Sequence, residues 1–366
     1  MTWIRIVVAC ALLVGFSAQS RAADTYMREE LRIPLPATGP RGLEALLVRP
    51  SEPGRYPLAL LSHGAPRSPA DRPKMSPRAM LPQAIEFARR GWAAVIVMRR
   101  GYGDSDGPSA EDLGGCAQAN YIAAGNGAAA QLKESIALLG QRPDIDGSRT
   151  IAVGVSAGGF ATVALTADPP PGLVAAISFA GGRGSVRDDE VCHEERLVEA
   201  FGFFGKRSRA PMLWVYAEND HFFGPKLAQQ LREAFTGGGG NAEFIRAAAF
   251  GADGHKLFST AGITIWTGMV DDFLKHQGLV LRTTLLPPPP RPKLVAPAEL
   301  STNGRTSFET YLMSPPHKAF AVAPDGSFGW QSGERTTEAA RSAALQFCHE
   351  HAKNCDVMFV DDAPVR

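Results

Sequence analysis

Three side chains in this sequence could act together in nucleophilic catalysis, and a serine is the first of them. Ser156 stands in the pattern Gly-x-Ser-x-Gly, between Gly154 and Gly158. Glycine makes up 38 of the 366 residues, so this pattern has little weight without its surroundings. An apolar run at residues 150–155 predicts a strand before the serine, and residues 157–167 predict a helix after it. That order is typical of a sharp turn that presents a serine nucleophile.

The other two side chains follow the serine in the chain order that this chemistry requires. Asp220 comes after an apolar run, Met212–Ala217, and His255 comes after the last predicted strand, residues 243–249. The carboxyl ends of parallel strands meet at one edge of a sheet, so residues that follow them lie close together. His255 would take the proton from Ser156 and return it to the leaving group, while Asp220 would orient the imidazole.

Neighbouring residues offer alternatives for the acid and for the base. Glu218 and Asp253 are carboxylates near Asp220 in the sequence, and either could serve as the acid instead. His221 could take the place of His255 as the base, although the position after the last strand favours His255.

The tetrahedral intermediate of such a reaction also needs hydrogen-bond donors for its oxyanion. The amide of Ala157, at the start of the predicted helix, can be one donor. The strand at residues 57–62 ends in His63-Gly64-Ala65, and the amide of Ala65 would be the second donor. We expect the His63 ring to hold this loop together rather than to take part in the reaction.

Strands and helices alternate along most of the chain, which predicts βαβ units around a mostly parallel sheet. The apolar strands are nearly continuous, as expected when helices cover both faces of a sheet. The predicted strands are residues 43–48, 57–62, 92–98, 150–155, 173–180, 212–217 and 243–249, and the predicted helices are residues 76–90, 126–139, 157–167, 225–235 and 263–276.

The pattern changes at Pro287-Pro288-Pro289-Pro290, which predicts a semi-rigid linker at residues 281–300. Residues 301–366 then predict a small α+β accessory domain. It would contain a hairpin at residues 319–323 and 327–331, a helix at residues 337–351 and a strand at residues 356–360.

The N-terminus has the features of a signal peptide, which we assign to residues 1–23. Arg5 precedes an apolar run at residues 6–16, and Ser20-Arg21-Ala22 resembles a cleavage site. We therefore expect a periplasmic or secreted protein whose catalytic domain spans residues 24–280, without an integral membrane segment in the mature chain. An uncleaved anchor is the alternative.

Four cysteines remain after cleavage, an even number that predicts disulfides in an exported protein. Cys348 and Cys355 are close in sequence and would pair locally, which leaves Cys116 and Cys192 as the long-range pair; buried free thiols are the alternative. No metal-ligand spacing is present, and we expect no cofactor. The net charge of +1 gives no reason to expect nucleic acid as a partner.

Residues 43–274 resemble the α/β-hydrolase superfamily, and within it the dienelactone-hydrolase-like and prolyl-oligopeptidase-like esterases. The segments that carry the resemblance are HGAP, MRRGYGDSDGP, GVSAGG, YAENDHFF and DGHKLF, in that order. The resemblance implies a Ser156–Asp220–His255 triad. Arg100 lies in a turn similar to the family's RRGYG turn, where we expect it to hold its loop by hydrogen bonds to carbonyls, with substrate binding as the alternative. Asp104 and Asp106 are expected as turn formers from their residue type. Dienelactone hydrolases use a cysteine nucleophile, so Ser156 departs from them.

These observations predict an exported serine hydrolase that cleaves carboxylic esters through an acyl-enzyme on Ser156. An exopeptidase or amidase with the same triad is one alternative, although no insert for a lid or propeller is evident. A non-catalytic binding protein on a hydrolase scaffold is another. The expected partner is a small-molecule ester or a short peptide, and the sequence names no partner for the accessory domain.

Overall fold

The structure, a computed structural model, describes residues 25–365. The predicted signal peptide therefore lies outside the described residues. The strands are β1 Tyr26–Ile33, β2 Leu43–Pro50, β3 Tyr56–Ser62, β4 Ala93–Val97, β5 Ile145–Val155, β6 Leu173–Phe179, β7 Ser185–Arg187, β8 Glu190–Val191, β9 Met212–Ala217, β10 Ala242–Ala247, β11 Ala319–Val322, β12 Phe328–Gln331, β13 Asp356–Val360 and β14 Ala363–Pro364. The helices are α1 Leu81–Arg89, α2 Tyr121–Leu139, α3 Ala157–Thr166, α4 Glu194–Gly205, α5 Pro225–Gly237, α6 Ile263–His276, α7 Thr302–Met313 and α8 Thr337–His349.

Eight strands form the central sheet, in the order β1-β2-β4-β3-β5-β6-β9-β10. The first two pairings, β1 with β2 and β2 with β4, are antiparallel, and every later pairing is parallel. The predicted α/β class with a mostly parallel sheet is confirmed. Because the six strands from β4 to β10 run in the same direction, their carboxyl ends lie along one edge, and loops that leave this edge can share a site.

Helices cover both faces of this sheet and produce two hydrophobic cores. On one face α1 and α6 pack against the sheet, with Phe87, Trp266 and Phe273 fully buried. On the other face α2, α3, α4 and α5 enclose a second core that includes Phe160 and Phe204. With both faces covered, neighbouring residues of a strand are buried alternately in the two cores, which accounts for the nearly continuous apolar strands.

The C-terminal segment has a sheet of its own, an antiparallel one in the order β12-β11-β13-β14, with α7 and α8. Two separate apolar clusters support it, one around Phe308 and Phe320 and one around Cys348. This arrangement fits the predicted accessory domain. The segment contacts the main body through Arg335, whose guanidinium donates to both carboxylate oxygens of Glu44, at 2.9 and 3.2 Å.

Both predicted disulfides are present. Cys116 is bonded to Cys192 with 5.3 Å between the Cα atoms, and Cys348 to Cys355 with 6.1 Å. The first bond joins two loops at the carboxyl edge of the central sheet. The second links the end of α8 to the start of β13.

Several predicted boundaries differ from the observed ones. The helix predicted at residues 76–90 is a short 3₁₀ turn, Pro77–Met80, followed by α1, because proline is well tolerated only in the first turn of a helix. Helix α2 begins at Tyr121, five residues before the prediction, where the side chain of Asn120 caps it by accepting from the Ala123 amide. Within residues 25–365, no helix has the length and apolarity needed to cross a membrane.

Candidate active site

Ser156 occupies the turn between β5 and α3 with a strained backbone, at φ 55° and ψ −123°. Few residues other than glycine adopt a positive φ, so the surrounding structure must hold it. The Ser156 amide donates to the Phe179 carbonyl at 2.9 Å, and its carbonyl accepts from Phe160 at 2.9 Å and Gly182 at 3.1 Å. These bonds fix the turn from both sides and present the hydroxyl above the sheet edge.

The two glycines of the motif are required by close packing around this turn. A Cβ on Gly158 would lie 2.1 Å from the Ser62 carbonyl oxygen, and one on Gly154 would lie 2.1 Å from the Gly158 carbonyl oxygen. Helix α3 therefore rests directly on the ends of β3 and β5. The Gly-x-Ser-x-Gly spacing thus reflects steric need at both glycines, in addition to the position of the serine.

Asp220 and His255 are brought together by the loops that follow β9 and β10. The imidazole Nδ1 of His255 lies 3.2 and 3.1 Å from the two carboxylate oxygens of Asp220, whose side chain is fully buried. The amides of Phe222 and Phe223 donate to Asp220 Oδ1 at 2.7 and 2.9 Å. These amides hold the carboxylate in place, and the carboxylate in turn fixes the imidazole orientation.

The alternative acids and the alternative base occupy other positions. Asp253 accepts from the backbone amide of His255 at 2.9 Å and so caps the turn that carries the histidine. Glu218 is exposed at the end of β9. His221 faces Asp189 at 3.2 Å, and this carboxylate raises the pKa of the exposed imidazole. The geometry therefore favours Asp220 and His255 over all three.

A cavity of about 380 Å³ opens above Ser156. Phe222 and Phe223 both line it, and the Phe222 ring also stacks on His255. Within residues 25–365 the Ser156 hydroxyl makes no hydrogen bond, so the serine–histidine contact is not formed here. Catalytic hydrogen bonds often shorten only when substrate binds.

The proposed oxyanion donors lie against the same cavity, which Ala65 and Ala157 line together with Ser156. Among the described residues, neither alanine amide donates to a protein acceptor. The loop carrying Ala65 approaches closely, because a Cβ on Gly64 would lie 3.2 Å from Ser156 Cβ. Two free amides beside the serine hydroxyl are the arrangement that an oxyanion needs.

His63 is buried behind this loop, and its ring bonds only to protein backbone. Its Nδ1 donates to the Gly64 carbonyl, and its Nε2 accepts from the Arg99 amide at 3.0 Å. Burial, with the Arg99 charge nearby, lowers the pKa of His63 from 6.5 to about 3. A ring that stays neutral and fully bonded joins two loops, in agreement with the structural role expected for it.

Sequence reasoning missed a group of buried charges below the cavity. The carboxylate of Glu111 receives the Arg99 guanidinium at 2.6 Å and the Arg183 guanidinium at 3.1 Å. The two guanidinium groups outweigh burial and hold the pKa of Glu111 well below its usual range. Arg183 also lines the cavity. The only signal for it in the sequence was its place four residues after β6, at the same sheet edge as Ser156.

In the loop after β4, Arg100 bonds to a backbone carbonyl as expected, whereas Asp104 and Asp106, expected as turn formers, bind a distant arginine. The Arg100 guanidinium donates to the Pro108 carbonyl at 3.0 Å, and Arg41 is paired with both Asp104 and Asp106. Within the described part of the chain, no group of three His, Cys, Asp or Glu side chains is placed to hold a metal ion.

Comparison with known proteins places these features in a family. Residues 41–234 match the model of the X-Pro dipeptidyl-peptidase (S15) family, a stretch that includes Ser156 and Asp220 and ends before His255. No curated protein matches the sequence.

Solved structures resemble the chain at low identity. A Klebsiella pneumoniae protein assigned as a dienelactone hydrolase is 15% identical (TM-score 0.47), over 70% of this chain and 99% of that one. A butyrate-bound Thermogutta terrifontis esterase is 20% identical, with a TM-score of 0.46, over 70% of this chain and 96% of the esterase. A Pyrococcus horikoshii acylaminoacyl peptidase is 16% identical, with a TM-score of 0.49, over 70% of this chain and 42% of the peptidase.

Proposed function

Because the chain belongs to the X-Pro dipeptidyl-peptidase (S15) family, whose members are hydrolases of the α/β-hydrolase superfamily, we propose that it is a serine hydrolase acting on carboxylic esters. The observation that carries the proposal is Ser156 in a strained strand-to-helix turn, at the same edge of the sheet as the buried Asp220–His255 pair. All three residues follow parallel strands at one edge of the sheet.

The reaction begins when Ser156 Oγ attacks the ester carbonyl and His255 takes its proton. The amides of Ala65 and Ala157 receive the oxyanion, and His255 protonates the leaving alcohol, so the acyl group stays on the serine. A water molecule then gives a proton to His255 and attacks the acyl carbonyl. His255 returns the proton to Ser156 Oγ as the acyl–serine bond breaks, and the carboxylic acid leaves. Asp220 keeps Nδ1 protonated and stabilises the imidazolium in both halves.

The charges that line the cavity favour esters over N-terminal dipeptides. A dipeptidyl-peptidase has to hold a free ammonium group, which calls for an unpaired carboxylate. Of the lining residues that the structure describes, Asp112 is the one acid, and its carboxylate is paired with Arg72 at 2.7 Å. The match to the X-Pro dipeptidyl-peptidase family keeps an exopeptidase or amidase as the second candidate, with the same catalytic residues.

We also propose that the protein is exported, to the periplasm or beyond. The predicted signal peptide and the two disulfides support this, because disulfides persist in oxidising compartments and are rare in the cytosol.

The test uses residues 24–366 with a fluorophosphonate probe, which labels activated serines. We expect label on Ser156, located by peptide mass spectrometry, and its loss in Ser156→Ala. Ser185→Ala is the matched control, because Ser185 lines the same cavity away from the turn. Hydrolysis of 4-nitrophenyl butyrate should fall at least about 1,000-fold in Ser156→Ala.

An X-Pro 4-nitroanilide assay separates the two hydrolase candidates. Faster cleavage of the anilide than of the ester by the wild-type protein would establish the peptidase. Folded protein that neither takes the label nor cleaves either substrate would support the binding-protein alternative.

A further inference from the structure

The buried charges below the cavity do not balance. One carboxylate, that of Glu111, lies between the guanidinium groups of Arg99 and Arg183. All of these side chains are at least nine-tenths buried, and His63 beside them adds no charge because it stays neutral. The group therefore has one excess positive charge in a place with little water, where an unpaired charge is costly.

The hydrogen bonds assign this excess to Arg183. Arg99 donates to Glu111 through two nitrogens and to Ser62 and the His63 carbonyl through the third, so its fork is filled. Arg183 is 8% exposed; it donates to Glu111 at 3.1 Å, and the Tyr102 hydroxyl lies next to its guanidinium. A guanidinium has five N–H groups, so Arg183 keeps donors beyond these contacts, and the residue is part of the cavity wall.

The position of Arg183 in the chain places it in the wall of the cavity that contains Ser156. The preceding residue, Gly182, donates its amide to the Ser156 carbonyl at 3.1 Å, and Arg183 lines the cavity with Ser156. Two more arginines line the cavity, but each has its own carboxylate partner. Arg67 is paired with Asp188 at 2.8 Å, and Arg72 is paired with Asp112 at 2.7 Å. Arg183 alone among them shares its carboxylate with a second arginine.

We infer that Arg183 binds a carboxylate of the substrate, so that the preferred substrates are esters carrying a carboxylate a few bonds from the scissile carbonyl. This inference rests on the proposed esterase function. A planar guanidinium with free donors matches a carboxylate in shape and charge. With a substrate carboxylate bound, two carboxylates, one of them that of Glu111, would balance the two guanidinium groups of Arg99 and Arg183.

Matched pairs of esters that differ in one charge test this. One pair is mono(4-nitrophenyl) adipate and its methyl ester, with the charge on the acyl side. The other is 4-acetoxybenzoate and its methyl ester, with the charge on the leaving group. For at least one pair, the wild-type kcat/KM should be about 10-fold or more higher for the anion, and added salt should reduce the ratio.

Variants assign the preference to the residue. Arg183→Gln should lower the anion-to-neutral ratio by about 10- to 100-fold, and Arg183→Lys should restore part of it. Arg187→Gln is the matched control and should keep the wild-type ratio, because Arg187 is exposed on the same loop and paired with Glu190.

The outcomes separate the inference from the function on which it rests. A wild-type enzyme that cleaves the neutral member of both pairs at least as fast overturns the inference and leaves the esterase intact. An Arg183→Gln variant that slows both members equally also overturns it, because Arg183 would then act on the reaction or the fold. Turnover of neither member of either pair by the wild type contradicts the esterase function itself.

Discussion

The ring of Phe222 lies flat on the imidazole of His255, with 3.9 Å between the ring centroids and 12° between the planes. The backbone amide of the same phenylalanine donates to Asp220, the carboxylate that faces His255. On its other side the ring carries the Arg67 guanidinium, 3.9 Å from the centroid. One residue thus contacts the proposed base through its ring and the proposed acid through its amide.

Replacing this ring should slow the reaction while leaving the carboxylate in place. In Phe222→Ala the backbone amide of residue 222 can still donate its hydrogen bond to Asp220, but the imidazole loses its stacking partner. We therefore expect kcat to fall about 3- to 10-fold. Phe222→Tyr keeps an aromatic ring and should restore the rate. Steady-state kinetics on 4-nitrophenyl butyrate give the comparison, and equal kcat values for the alanine variant and the wild type would contradict the positioning role.

Asp220 and Asp253 form a matched pair of carboxylates, both within reach of the His255 loop. Asp220→Asn should lower kcat by about 1,000- to 10,000-fold, because the amide cannot hold the imidazole in the required tautomer and charge state. Asp253→Asn should remain close to the wild type, since asparagine caps a turn as well as aspartate does. The reverse order of the two kcat values would make Asp253 the acid.

Burial of neutral His63 should make stability depend on pH. The unfolded chain binds a proton at this residue below about pH 6.5, whereas the folded chain does so only near pH 3. Unfolding therefore takes up a proton in this window, and the free energy of unfolding should fall with decreasing pH by up to about 1.4 kcal/mol per pH unit.

His63→Gln should reduce this slope, as measured by denaturant unfolding between pH 6 and pH 4. His221→Gln, which removes an exposed histidine paired with Asp189, is the control and should keep the wild-type slope. An unchanged slope in the His63 variant would mean that the proton is taken up elsewhere.

The two disulfides should have different effects on activity. Cys192 lines the Ser156 cavity, so Cys116→Ala/Cys192→Ala should raise KM and should also reduce stability, by about 4.5 kcal/mol in the chain-entropy model. The Cys348–Cys355 disulfide closes a far shorter loop. Its removal in Cys348→Ala/Cys355→Ala should lower the stability by about 2.5 kcal/mol and leave kcat/KM unchanged. Thermal unfolding and ester kinetics on both double variants distinguish the two, and an unaltered KM in the first would place its loops away from the substrate.

The positions of Ser156, Asp220 and His255 could be predicted because each follows an apolar strand whose end is evident from the sequence. β9 and α6 have the predicted bounds, and β5 ends at the predicted residue. Chain order and strand ends were enough to place these side chains at one edge, although their assignment as catalytic residues remains a prediction.

Elements whose apolar residues depend on tertiary packing were missed. Helix α4 contains Gly202 and Gly205, and its apolar face is buried by packing against α5, α2 and α3, so its sequence alone resembled a loop. Strand β1 alternates polar and buried residues at the edge of the sheet and was too polar to stand out. The meeting of Glu111 with Arg183 joins positions 72 residues apart, and no local pattern records such a contact.

The contact between Arg335 and Glu44 extends the enzyme beyond its hydrolase portion. Glu44 also accepts from the Asp104 amide at 2.8 Å, and the loop of Asp104 begins at Arg99, whose amide holds the His63 ring. A protein that ends at the proline-rich segment would lack Arg335, and with it the guanidinium that donates to Glu44. Rate constants measured on such a fragment would therefore describe a protein in which the hydrogen bonds from Glu44 to the His63 loop have lost their outermost member.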